Sequence, residues 1–358
     1  MNTLKKNKKV ILGLSGGVDS TTAALLLKEQ GMEVIGFYFD VLGTNREGEE
    51  AARKLAERLS IDFVSMDVSK QFSDIVIENF CNEYACGRTP NPCVICNPTI
   101  KFRKLLQIAD ERGAYYIATG HYAQVEQDPV NGLYYITKGV NQKKDQSYML
   151  YRLGQDVLSR LLLPLGGIAC KEDTRRIARS YELPNAEASD SQEICFIDES
   201  VESYERFLFH RNAVGKKGNF IDQHGNVLGE HRGISCYTVG QRKGLGIALG
   251  KPAFVTKIDA ESGDITLGDN DSLFRGEVYS YNNFFAETSG SGFPDTCSNK
   301  LSVSAKIRYA AKAADAVVEK ISNGRLLTTF DEPQRAPTPG QSIVFYQGDR
   351  VIGGGFIE

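Results

Sequence analysis

The stretch Gly13-Leu14-Ser15-Gly16-Gly17-Val18-Asp19-Ser20 decides the fold of the first half of this chain. It follows the apolar run Val10-Ile11-Leu12, which is typical of a strand, and it precedes the helical pattern of residues 21–28. A strand, a tight turn and a helix N-terminus therefore meet here. Such a turn directs backbone N–H groups and the positive end of the helix dipole toward one point. The pattern predicts a phosphate-binding loop.

The polar side chains of this loop indicate which kind of phosphate-binding loop it is. Ser15 and Ser20 add hydroxyl donors, and Asp19 is a candidate ligand for a divalent cation. The loop lacks the Lys-Ser/Thr pair of a Walker P-loop and the Gly-x-Gly-x-x-Gly spacing of a dinucleotide site. A glycine-rich turn without a ligand is the alternative. The SGGxDS form resembles the pyrophosphate loop of N-type ATP pyrophosphatases, which split ATP between the α and β phosphates.

The overall composition argues against a strongly basic nucleic-acid-binding protein and against a membrane-spanning protein. With 358 residues the chain is long enough for two or three domains, and its apolar and charged fractions are those of a globular protein. A formal net charge of −3 means that any RNA site must be a local basic patch. The chain contains no run of about 18 apolar residues, so we expect no membrane partner and a cytoplasmic location.

The pattern of elements changes along the chain. Residues 1–200 alternate strand and helix with short connections, which predicts a doubly wound parallel sheet with its ligand at the carboxyl ends of the strands. Beyond about residue 215, strand-like runs alternate with turns, which predicts β structure ending in a barrel. We expect an α/β catalytic domain at 1–200, a central β-rich domain at 201–275 and a β-barrel at 276–358.

Eight cysteines divide into two groups. The motif Cys93-Val94-Ile95-Cys96 lies in a loop with two prolines, and Cys195 follows a polar turn. The Cys-x-x-Cys pair is open to three interpretations, namely half of a zinc site, a redox pair or part of an iron–sulfur site. A second pair or a histidine pair for zinc is missing from the sequence. The remaining five are expected to be small buried residues: Cys81, Cys86, Cys170, Cys236 and Cys297.

Taken together, the loop and the cysteine motifs resemble the tRNA-uridine 2-sulfurtransferase family (tRNA-specific 2-thiouridylases, MnmA/TrmU). The likeness runs from end to end and is specific because the motifs occur as an ordered set. They are GLSGGVDS at 13–20, GRTPNP at 87–92, CN at 96–97, IKF at 100–102, ATGHYA at 118–123, KDQSYML at 144–150, LPLG at 163–166, DSQEICFI at 190–197, YTVGQRKGLGI at 237–247, KIRY at 306–309 and TPGQ at 338–341.

The resemblance implies a reaction. ATP adenylates the C2 oxygen of the wobble uridine in tRNA, and pyrophosphate leaves. Cys195 carries a persulfide supplied by a sulfur-relay donor protein, and its sulfur replaces the activated oxygen. Cys96 resolves the persulfide, which implies a Cys96–Cys195 disulfide afterwards. One thiol must donate sulfur and another must attack the sulfur–sulfur bond, which agrees with thiol–disulfide chemistry.

The resemblance also implies site residues. Cys96 and Cys195 are the catalytic pair, and tRNA is the macromolecular partner, with no DNA partner. The implied ATP-binding residues are Gly13, Leu14, Ser15, Gly16, Gly17, Val18, Asp19, Ser20, Phe39 and Gly120. The implied tRNA contacts are Asn91, Pro92, Cys93, His121, Lys144, Asp145, Gln146, Arg308, Tyr309 and Gln341. Mg²⁺ on Asp19 accompanies ATP.

One position departs from the family pattern. Where many members carry Asp, this chain has Cys93, which puts the acid–base role of that position in doubt. Cys93, Cys96 and Cys195 also make three thiolates, the number that would ligate a [4Fe–4S] cluster with one open iron. The persulfide route and the cluster route both stay open. Two other functions compete, namely an N-type ATP pyrophosphatase acting on a small molecule and a non-catalytic RNA-binding module.

Overall fold

The computed structural model describes residues 6–43, 46–181, 194–198, 202–294 and 299–358. These residues fall into two compact units. The first unit is drawn from residues 1–75, 93–192 and 349–352, and the second from residues 76–92, 193–348 and 353–358. No helix in the described part of the chain is both long and apolar enough to span a bilayer.

The first unit is built on a parallel sheet of five strands. In chain order the strands of this unit are β1 (Lys9–Gly13), β2 (Glu33–Asp40), β3 (Asp62–Asp67), β4 (Tyr116–Ala118), β5 (Ala123–Gln127), β6 (Tyr134–Lys138) and β7 (Leu161–Leu162). The parallel sheet has the order β3-β2-β1-β4-β7, so β1 is its central strand. Loops that follow β1, β2 and β4 therefore meet at one edge, as the alternating pattern predicts.

Nine α-helices lie in the described residues. They are α1 (Val18–Glu29), α2 (Arg46–Arg58), α3 (Ser69–Phe72), α4 (Glu78–Ala85), α5 (Pro92–Cys96), α6 (Phe102–Glu111), α7 (Gln155–Leu158), α8 (Lys171–Ser180) and α9 (Tyr204–His210). A π-helical turn at Ser73–Ile77 joins α3 to α4, and another at Asn97–Lys101 joins α5 to α6. Short 3₁₀ turns occupy Ser147–Leu150, Pro164–Gly167, Ile234–Cys236, Asp271–Leu273 and Ser322–Gly324.

The central strand and the helix after it form the core of the first unit. Val10, Ile11 and Leu12 are completely buried, as the apolar run predicts for a strand covered on both faces. Along α1 the side chains of residues 18 and 20–25 are all buried, because this helix packs in the same cluster as β1. The predicted phosphate-binding loop joins these two buried elements and so has firmly held ends.

An antiparallel hairpin interrupts the predicted alternation of strand and helix. Strands β5 and β6 pair antiparallel, with Val125 opposite Ile136. At the open edge, Thr137 of β6 pairs with Arg350, whose guanidinium donates to Asp128 at 2.6 Å. The prediction of a purely alternating pattern up to residue 200 was wrong here, because β5 and β6 follow one another as a hairpin with no helix between them.

Beyond α9, the described residues of the second unit form β-strands joined by loops and short 3₁₀ turns. A four-stranded sheet comprises β8 (Asn219–Ile221), β9 (Val227–Glu230), β10 (Phe254–Ile258) and β11 (Ile265–Gly268), in the order β10-β11-β8-β9. The predicted turns at residues 222–226 and 259–264 join β8 to β9 and β10 to β11, which confirms both hairpins. Buried Phe220, Val255 and Ile265 form its core.

The C-terminal strands close into the predicted barrel. They are β12 (Phe274–Phe285), β13 (Lys300–Lys306), β14 (Ala314–Lys320), β15 (Leu326–Arg335), β16 (Ser342–Gln347) and β17 (Arg350–Ile357). Their order is β12-β15-β14-β13-β16-β17, and pairing of Ser280 with Ile357 joins the last strand to the first. Closure leaves no sheet edge in this ring. The domain limits at residues 200 and 275 stay a prediction.

Candidate active site

The glycine- and serine-rich loop is held together by its own hydroxyl groups. Ser15 N–H donates to Ser20 Oγ at 3.2 Å, and the two hydroxyl oxygens lie 3.2 Å apart. Ser20 Oγ also donates to the carbonyl of Gly17 at 3.0 Å. Gly16 has φ +81°, a conformation that favours glycine. The loop is thus curled against the first turn of α1, whose N–H groups and dipole can stabilise a bound anion.

Asp19 is oriented by a buried pair of hydroxyl groups. Tyr122, 2% exposed, donates its phenolic O–H to Asp19 Oδ1 at 2.7 Å. The Tyr122 oxygen also lies 2.9 Å from Oγ1 of buried Thr174 in α8. Thr22 of α1 donates to the carbonyl of Thr174. The carboxylate at the start of α1 is therefore fixed through Tyr122 to a second helix.

A cavity of about 330 Å³ opens beside this loop. It lies at the carboxyl ends of β1, β2 and β4, where the parallel sheet predicts the ligand. Seven residues predicted to bind ATP line it: Gly13, Leu14, Ser15, Asp19, Ser20, Phe39 and Gly120. Two residues predicted to contact tRNA, His121 and Gln146, also line it. Tyr38, Lys101 and Thr119 line it as well and were missing from the sequence prediction.

Gly120 permits the close approach of two segments. A Cβ atom at this position would lie 2.9 Å from the carbonyl carbon of Asp19 and 3.0 Å from the nitrogen of Ser20. Residue 120 therefore presses against the first turn of α1, a fit that only glycine allows. Phe39 also lines the cavity, and its ring is 3.4 Å from the position of a Cβ on Gly13. Its flat apolar face suits an aromatic ring of a ligand.

His121 is a neutral group in this cavity. Burial, together with the charge of Lys101, lowers the pKa of the His121 imidazole to about 3. Its Nδ1 lies 2.7 Å from Thr119 Oγ1, and its ring stacks on Phe102 with centroids 6.1 Å apart. At neutral pH this side chain can bind through hydrogen bonds and carries no positive charge.

Lys101 connects the cavity to the Cys-x-x-Cys helix. It is the last residue of the π-helical turn Asn97–Lys101, and its side chain lines the cavity. Burial raises the pKa of the Cys96 thiol, and negative charge at Cys93 raises it further. The charge and the backbone N–H of Lys101 lower the pKa of the same thiol. A single lysine thus acts electrostatically on the cavity, on His121 and on Cys96.

The Cys-x-x-Cys pair lies on a well-anchored helix. Val94 is fully buried, and buried Asn97 donates its side-chain amide to the carbonyl of Met149 at 3.0 Å. Between these anchors Cys93 is exposed and Cys96 is partly exposed. Cys93 and Cys96 are three residues apart along α5, so their side chains lie on one face of the helix.

Cys195 lies beside an aromatic anchor in the second unit. Within residues 194–198, Cys195 is exposed, whereas Phe196 and Ile197 are buried. The Phe196 ring packs edge-on against Phe80 with centroids 5.3 Å apart and also contacts Phe207. The motif Cys-Phe-Ile therefore presents a thiol to solvent on a fixed backbone. The polar turn at residues 189–193 lies outside the described residues.

The described part of the chain contains no cluster of metal-ligating side chains. Across those ranges, His, Cys, Asp and Glu side chains form no group of three or more that could hold a metal ion. The hypothesis of a [4Fe–4S] cluster on Cys93, Cys96 and Cys195 gains no support from these described residues. A single carboxylate beside a phosphate loop, as at Asp19, is the usual protein contribution to a Mg²⁺–nucleotide complex.

Two distant motifs meet in the second unit. The backbone N–H of Thr89 donates to the carbonyl of Pro339 at 2.8 Å, and Gln341 Nε2 donates to the carbonyl of Thr89 at 2.8 Å. Gly340 has φ +87°, and a Cβ there would lie 2.9 Å from that of Arg88. The GRTPNP segment is therefore fixed on the TPGQ turn of the barrel, just before α5 begins.

Comparisons with known proteins cover almost the whole chain. The tRNA methyl transferase HUP domain matches residues 8–199, the tRNA methyl transferase PRC-barrel domain residues 205–269 and the Aminomethyltransferase beta-barrel domain residues 283–357. The tRNA-specific 2-thiouridylase MnmA 1 of Thermoanaerobacter pseudethanolicus is 45% identical over 372 residues, covering 99% of both chains. The chain belongs to the tRNA-specific 2-thiouridylase family.

Other relatives agree with this assignment. MnmA of Syntrophomonas wolfei is 45% identical over 353 residues, covering 98% of this chain and 99% of the relative. MnmA of Clostridium acetobutylicum is 44% identical over 366 residues, covering 98% and 100%. A solved U34-tRNA thiolase, NcsA from Methanococcus maripaludis with its [4Fe-4S] cluster, is 20% identical with a TM-score of 0.36, covering 59% of this chain and 67% of that one. The last likeness adds nothing to the assignment.

Some residues predicted as tRNA contacts in this 2-thiouridylase family member form internal hydrogen bonds. Asp145 is 5% exposed, and its carboxylate accepts from the N–H groups of Gly139 and Ser147 and from the Ser147 hydroxyl. Gln146 Oε1 accepts from the N–H of Tyr122 at 2.9 Å. Gln341 likewise donates to the carbonyl of Thr89. The side chains of Asp145, Gln146 and Gln341 therefore stabilise the loops around them.

Other predicted contacts of the family member are accessible. Arg308 is exposed, while Asn91, Pro92, Lys144 and Tyr309 are partly exposed. Exposed basic residues also lie in the irregular segment between β9 and β10. They are Arg242, Lys243 and Lys251, in and beside a glycine-rich loop. Such side chains can neutralise phosphates of a nucleic acid.

The expectation for the remaining cysteines was wrong at one position. Cys86 is exposed, and Cys81, Cys170 and Cys236 are only partly buried. Cys86 ends α4 as its C-cap residue, so its side chain leaves the packed face of that helix. Cys297 lies outside the described residues.

Proposed function

We propose that this protein uses ATP to replace the C2 oxygen of the wobble uridine in tRNA by sulfur, in the cytoplasm. The observation that carries the proposal is the cavity of about 330 Å³. Its wall combines the phosphate-binding loop with Lys101, which belongs to the same continuous helical segment as Cys96. The residues for ATP binding and the Cys96 thiol therefore lie in neighbouring segments of the first unit.

ATP is expected to bind with its pyrophosphate portion on the loop. The N–H groups of residues 15–20 and the α1 dipole stabilise the negative charge of the β and γ phosphates. Gly13, Leu14, Gly16, Gly17 and Val18 give the loop its shape, while Phe39 and Gly120 border the adenosine. Asp19, oriented by Tyr122, would hold Mg²⁺, which neutralises phosphate charge when bound. Lys101 is suited to the α-phosphate because its charge faces the same cavity.

The first chemical step joins the uridine to AMP. The C2 oxygen attacks the α-phosphorus of ATP, a new oxygen–phosphorus bond forms, and the bond to pyrophosphate breaks. Stabilisation of the charge that develops on the phosphate oxygens by Lys101 and by the backbone N–H groups is the usual catalytic contribution in phosphoryl and adenylyl transfer. The neutral imidazole of His121 can donate a hydrogen bond there without adding charge.

The second step replaces oxygen by sulfur. The terminal sulfur of a Cys195 persulfide attacks C2, and AMP leaves with the original oxygen. The Cys96 thiolate then attacks the sulfur of Cys195, which releases 2-thiouridine and leaves a Cys96–Cys195 disulfide. The persulfide on Cys195 comes from a sulfur-relay donor protein, which the exposed position of this thiol permits.

The tRNA contacts are proposed in two groups. Asn91, Pro92 and Cys93 lie near the target base, while Lys144, Arg308 and Tyr309 contact the phosphate backbone or loop bases. Asp145, Gln146, Gln341 and His121 act indirectly, by fixing the segments that carry the other contacts. A base whose C2 atom reacts must leave its stack, so an extruded uridine is expected.

The experiment measures pyrophosphate release and 2-thiouridine formation with purified protein, ATP, tRNA and a persulfide donor. We expect both products only when tRNA is present. Asp19→Ala should lose pyrophosphate release, and Cys195→Ser should lose 2-thiouridine while retaining part of the pyrophosphate release. Pyrophosphate release that depends on a small molecule and not on tRNA would favour the small-molecule pyrophosphatase. RNA binding without ATP cleavage would favour a non-catalytic module.

A further inference from the structure

The Cys-x-x-Cys helix contains one thiol more than the proposed reaction uses. Cys96 resolves the persulfide, but Cys93 has no chemical step assigned to it. Cys93 is exposed, and Cys96 is partly buried one helical turn away. We propose that Cys93 is a second resolving thiol, which takes over the disulfide from Cys195 and so returns Cys195 to its thiol form. This inference rests on the proposed function.

The geometry of α5 allows the new bond. Residues three apart on a helix rise about 4.5 Å and turn by about 300°, so their Cα atoms lie about 5 Å apart. This separation falls inside the range of roughly 4.4–6.8 Å found for disulfides. Both side chains leave the helix on one face, because residues three apart along a helix are neighbours on its surface. Pro92, at the first position of α5, fixes where the helix begins.

The electrostatics of the pair support exchange. Negative charge at Cys93 raises the pKa of Cys96, so the two sulfurs are near enough to interact. Burial raises the pKa of the Cys96 thiol, and Lys101 offsets part of that rise, which helps to form the thiolate that makes the first attack, on the sulfur of Cys195. The second attack then comes from Cys93, whose thiol is exposed and so can reach the sulfur of Cys96.

The step balances without an added oxidant. The Cys93 thiolate attacks the sulfur of Cys96 in the Cys96–Cys195 disulfide. The Cys93–Cys96 bond forms, the Cys96–Cys195 bond breaks, and Cys195 leaves as a thiolate that takes up one proton. No net oxidation or reduction occurs. A dithiol reductant later supplies two electrons and two protons to the Cys93–Cys96 disulfide, which is reached through the exposed sulfur of Cys93.

The benefit of the exchange is the early recovery of the sulfur carrier. While Cys195 is bound to Cys96 it cannot accept another persulfide sulfur. Transfer of the bond to the Cys-x-x-Cys pair makes Cys195 available while reduction of the pair proceeds separately. Because of the exchange, Cys195 can be reloaded with sulfur before the Cys93–Cys96 disulfide is reduced.

The test maps disulfides in the full-length protein after one round of thiolation. Protein, tRNA transcript, ATP and cysteine persulfide react without a reductant, and acid with N-ethylmaleimide stops the reaction. Peptide mass spectrometry then quantifies each disulfide per 2-thiouridine formed, so that the ratio does not depend on rate. We expect mainly Cys93–Cys96 in the wild type and in the control Cys86→Ser, which removes another exposed thiol. Cys93→Ser should instead accumulate Cys96–Cys195.

The outcomes separate the two proposals. Wild-type protein that forms 2-thiouridine but keeps Cys96–Cys195, with alkylated Cys93, would overturn the role of Cys93 and leave the proposed function intact. Wild-type protein that forms no 2-thiouridine under these conditions would overturn the proposed function, and this inference with it. Purification without oxygen of a protein in which the three thiols bind iron would also overturn the exchange. The wild-type map decides the matter even if Cys93→Ser fails to fold.

Discussion

Lys101 gives the sharpest prediction about a single side chain. Lys101→Met removes the positive charge that faces both the cavity and Cys96. We expect the KM for ATP to rise at least about tenfold, since a hydrogen bond to a charged group contributes about 1.5–3 kcal/mol and 1.4 kcal/mol is tenfold. Alkylation of Cys96 at fixed pH should slow, because its pKa rises further. Steady-state kinetics and peptide mapping of alkylated Cys96 measure the two effects.

The matched control for this change is Lys104→Met. Lys104 is on α6, one turn beyond Lys101, and its ammonium donates to Gln107 at 3.1 Å. We expect this variant to keep the wild-type KM and the wild-type alkylation rate. Equal behaviour of the two variants would show that Lys101 exerts no specific effect on the cavity or on the thiol.

His121 predicts a dependence of stability on pH. The folded protein holds the pKa of His121 at about 3, whereas an unfolded histidine has the ordinary value of 6.5. Between these values the unfolded chain binds the extra proton, so stability falls as pH decreases below 6.5. When the pH falls from 7.5 to 5.0, the free energy of unfolding of the wild type should decrease by up to about 2 kcal/mol more than that of His121→Gln. Urea unfolding at both pH values measures this, and equal losses would contradict an imidazole that the folded protein holds neutral.

Gly120 tests how tightly β4 and α1 fit together. Gly120→Ala places a methyl group 2.9 Å from Asp19 and 3.0 Å from Ser20, against backbone that cannot rotate away. We expect the phosphate-binding loop to shift and ATP binding to weaken by about tenfold or more, since misfit in a packed contact costs about 1–3 kcal/mol. Equilibrium binding of ATP measures it. Gly276→Ala, where a Cβ meets nothing within 4 Å, is the control and should bind ATP normally.

Tyr122 links Asp19 at the start of α1 to Thr174 of α8. Tyr122→Phe removes the O–H donor to Asp19, a bond to a charged group that contributes about 1.5–3 kcal/mol. We expect pyrophosphate release to need a higher Mg²⁺ concentration, because the carboxylate is no longer held in one orientation. A Mg²⁺ titration at saturating ATP measures this change.

Tyr135→Phe controls for the loss of a buried phenol. Tyr135 is 4% exposed, and its oxygen accepts a hydrogen bond from Asn131 at 3.0 Å in the β5–β6 hairpin. Both variants should lose some stability. A Mg²⁺ requirement that moves equally in both, or in neither, would contradict the orienting role of Tyr122.

Local patterns account for the elements that the sequence predicts well. The strand, glycine loop and helix around residues 10–28 are specified by neighbours in the sequence, and so are the hairpins at residues 222–226 and 259–264. The β5–β6 hairpin was missed although its two strands pair locally, and the further pairing of β6 with Arg350 depends on a distant part of the chain. Tertiary contacts decide such pairings, and local propensity does not contain them.

The site shows the same division between local and distant information. The sequence indicates the phosphate-binding loop because its residues are contiguous. It does not indicate Lys101, because a lysine on a helix is ordinarily exposed to solvent, and the π-helical turn that changes its direction leaves no periodic signal. The family resemblance implies Asp145 as a tRNA contact, and the structure adds that its carboxylate accepts hydrogen bonds from Gly139 and Ser147.

At the scale of the whole molecule, the two units divide the proposed reaction between them. The first unit contains the phosphate-binding loop, the cavity and Cys96, and the second contains Cys195 and the barrel turn that fixes the GRTPNP segment. The reaction requires both thiols at one uridine. We therefore expect tRNA to be needed for the whole sequence of steps and not only as the final acceptor.

The most direct measurement follows the C2 oxygen of the target uridine. A tRNA carrying ¹⁸O at C2 of the wobble uridine is converted to 2-thiouridine with wild-type protein, ATP and a persulfide donor, and the products are analysed by mass spectrometry. The proposed adenylation predicts one ¹⁸O atom in AMP for each 2-thiouridine and none in pyrophosphate. Recovery of the label in water or in pyrophosphate, with unlabelled AMP, would contradict activation of the uridine oxygen by ATP.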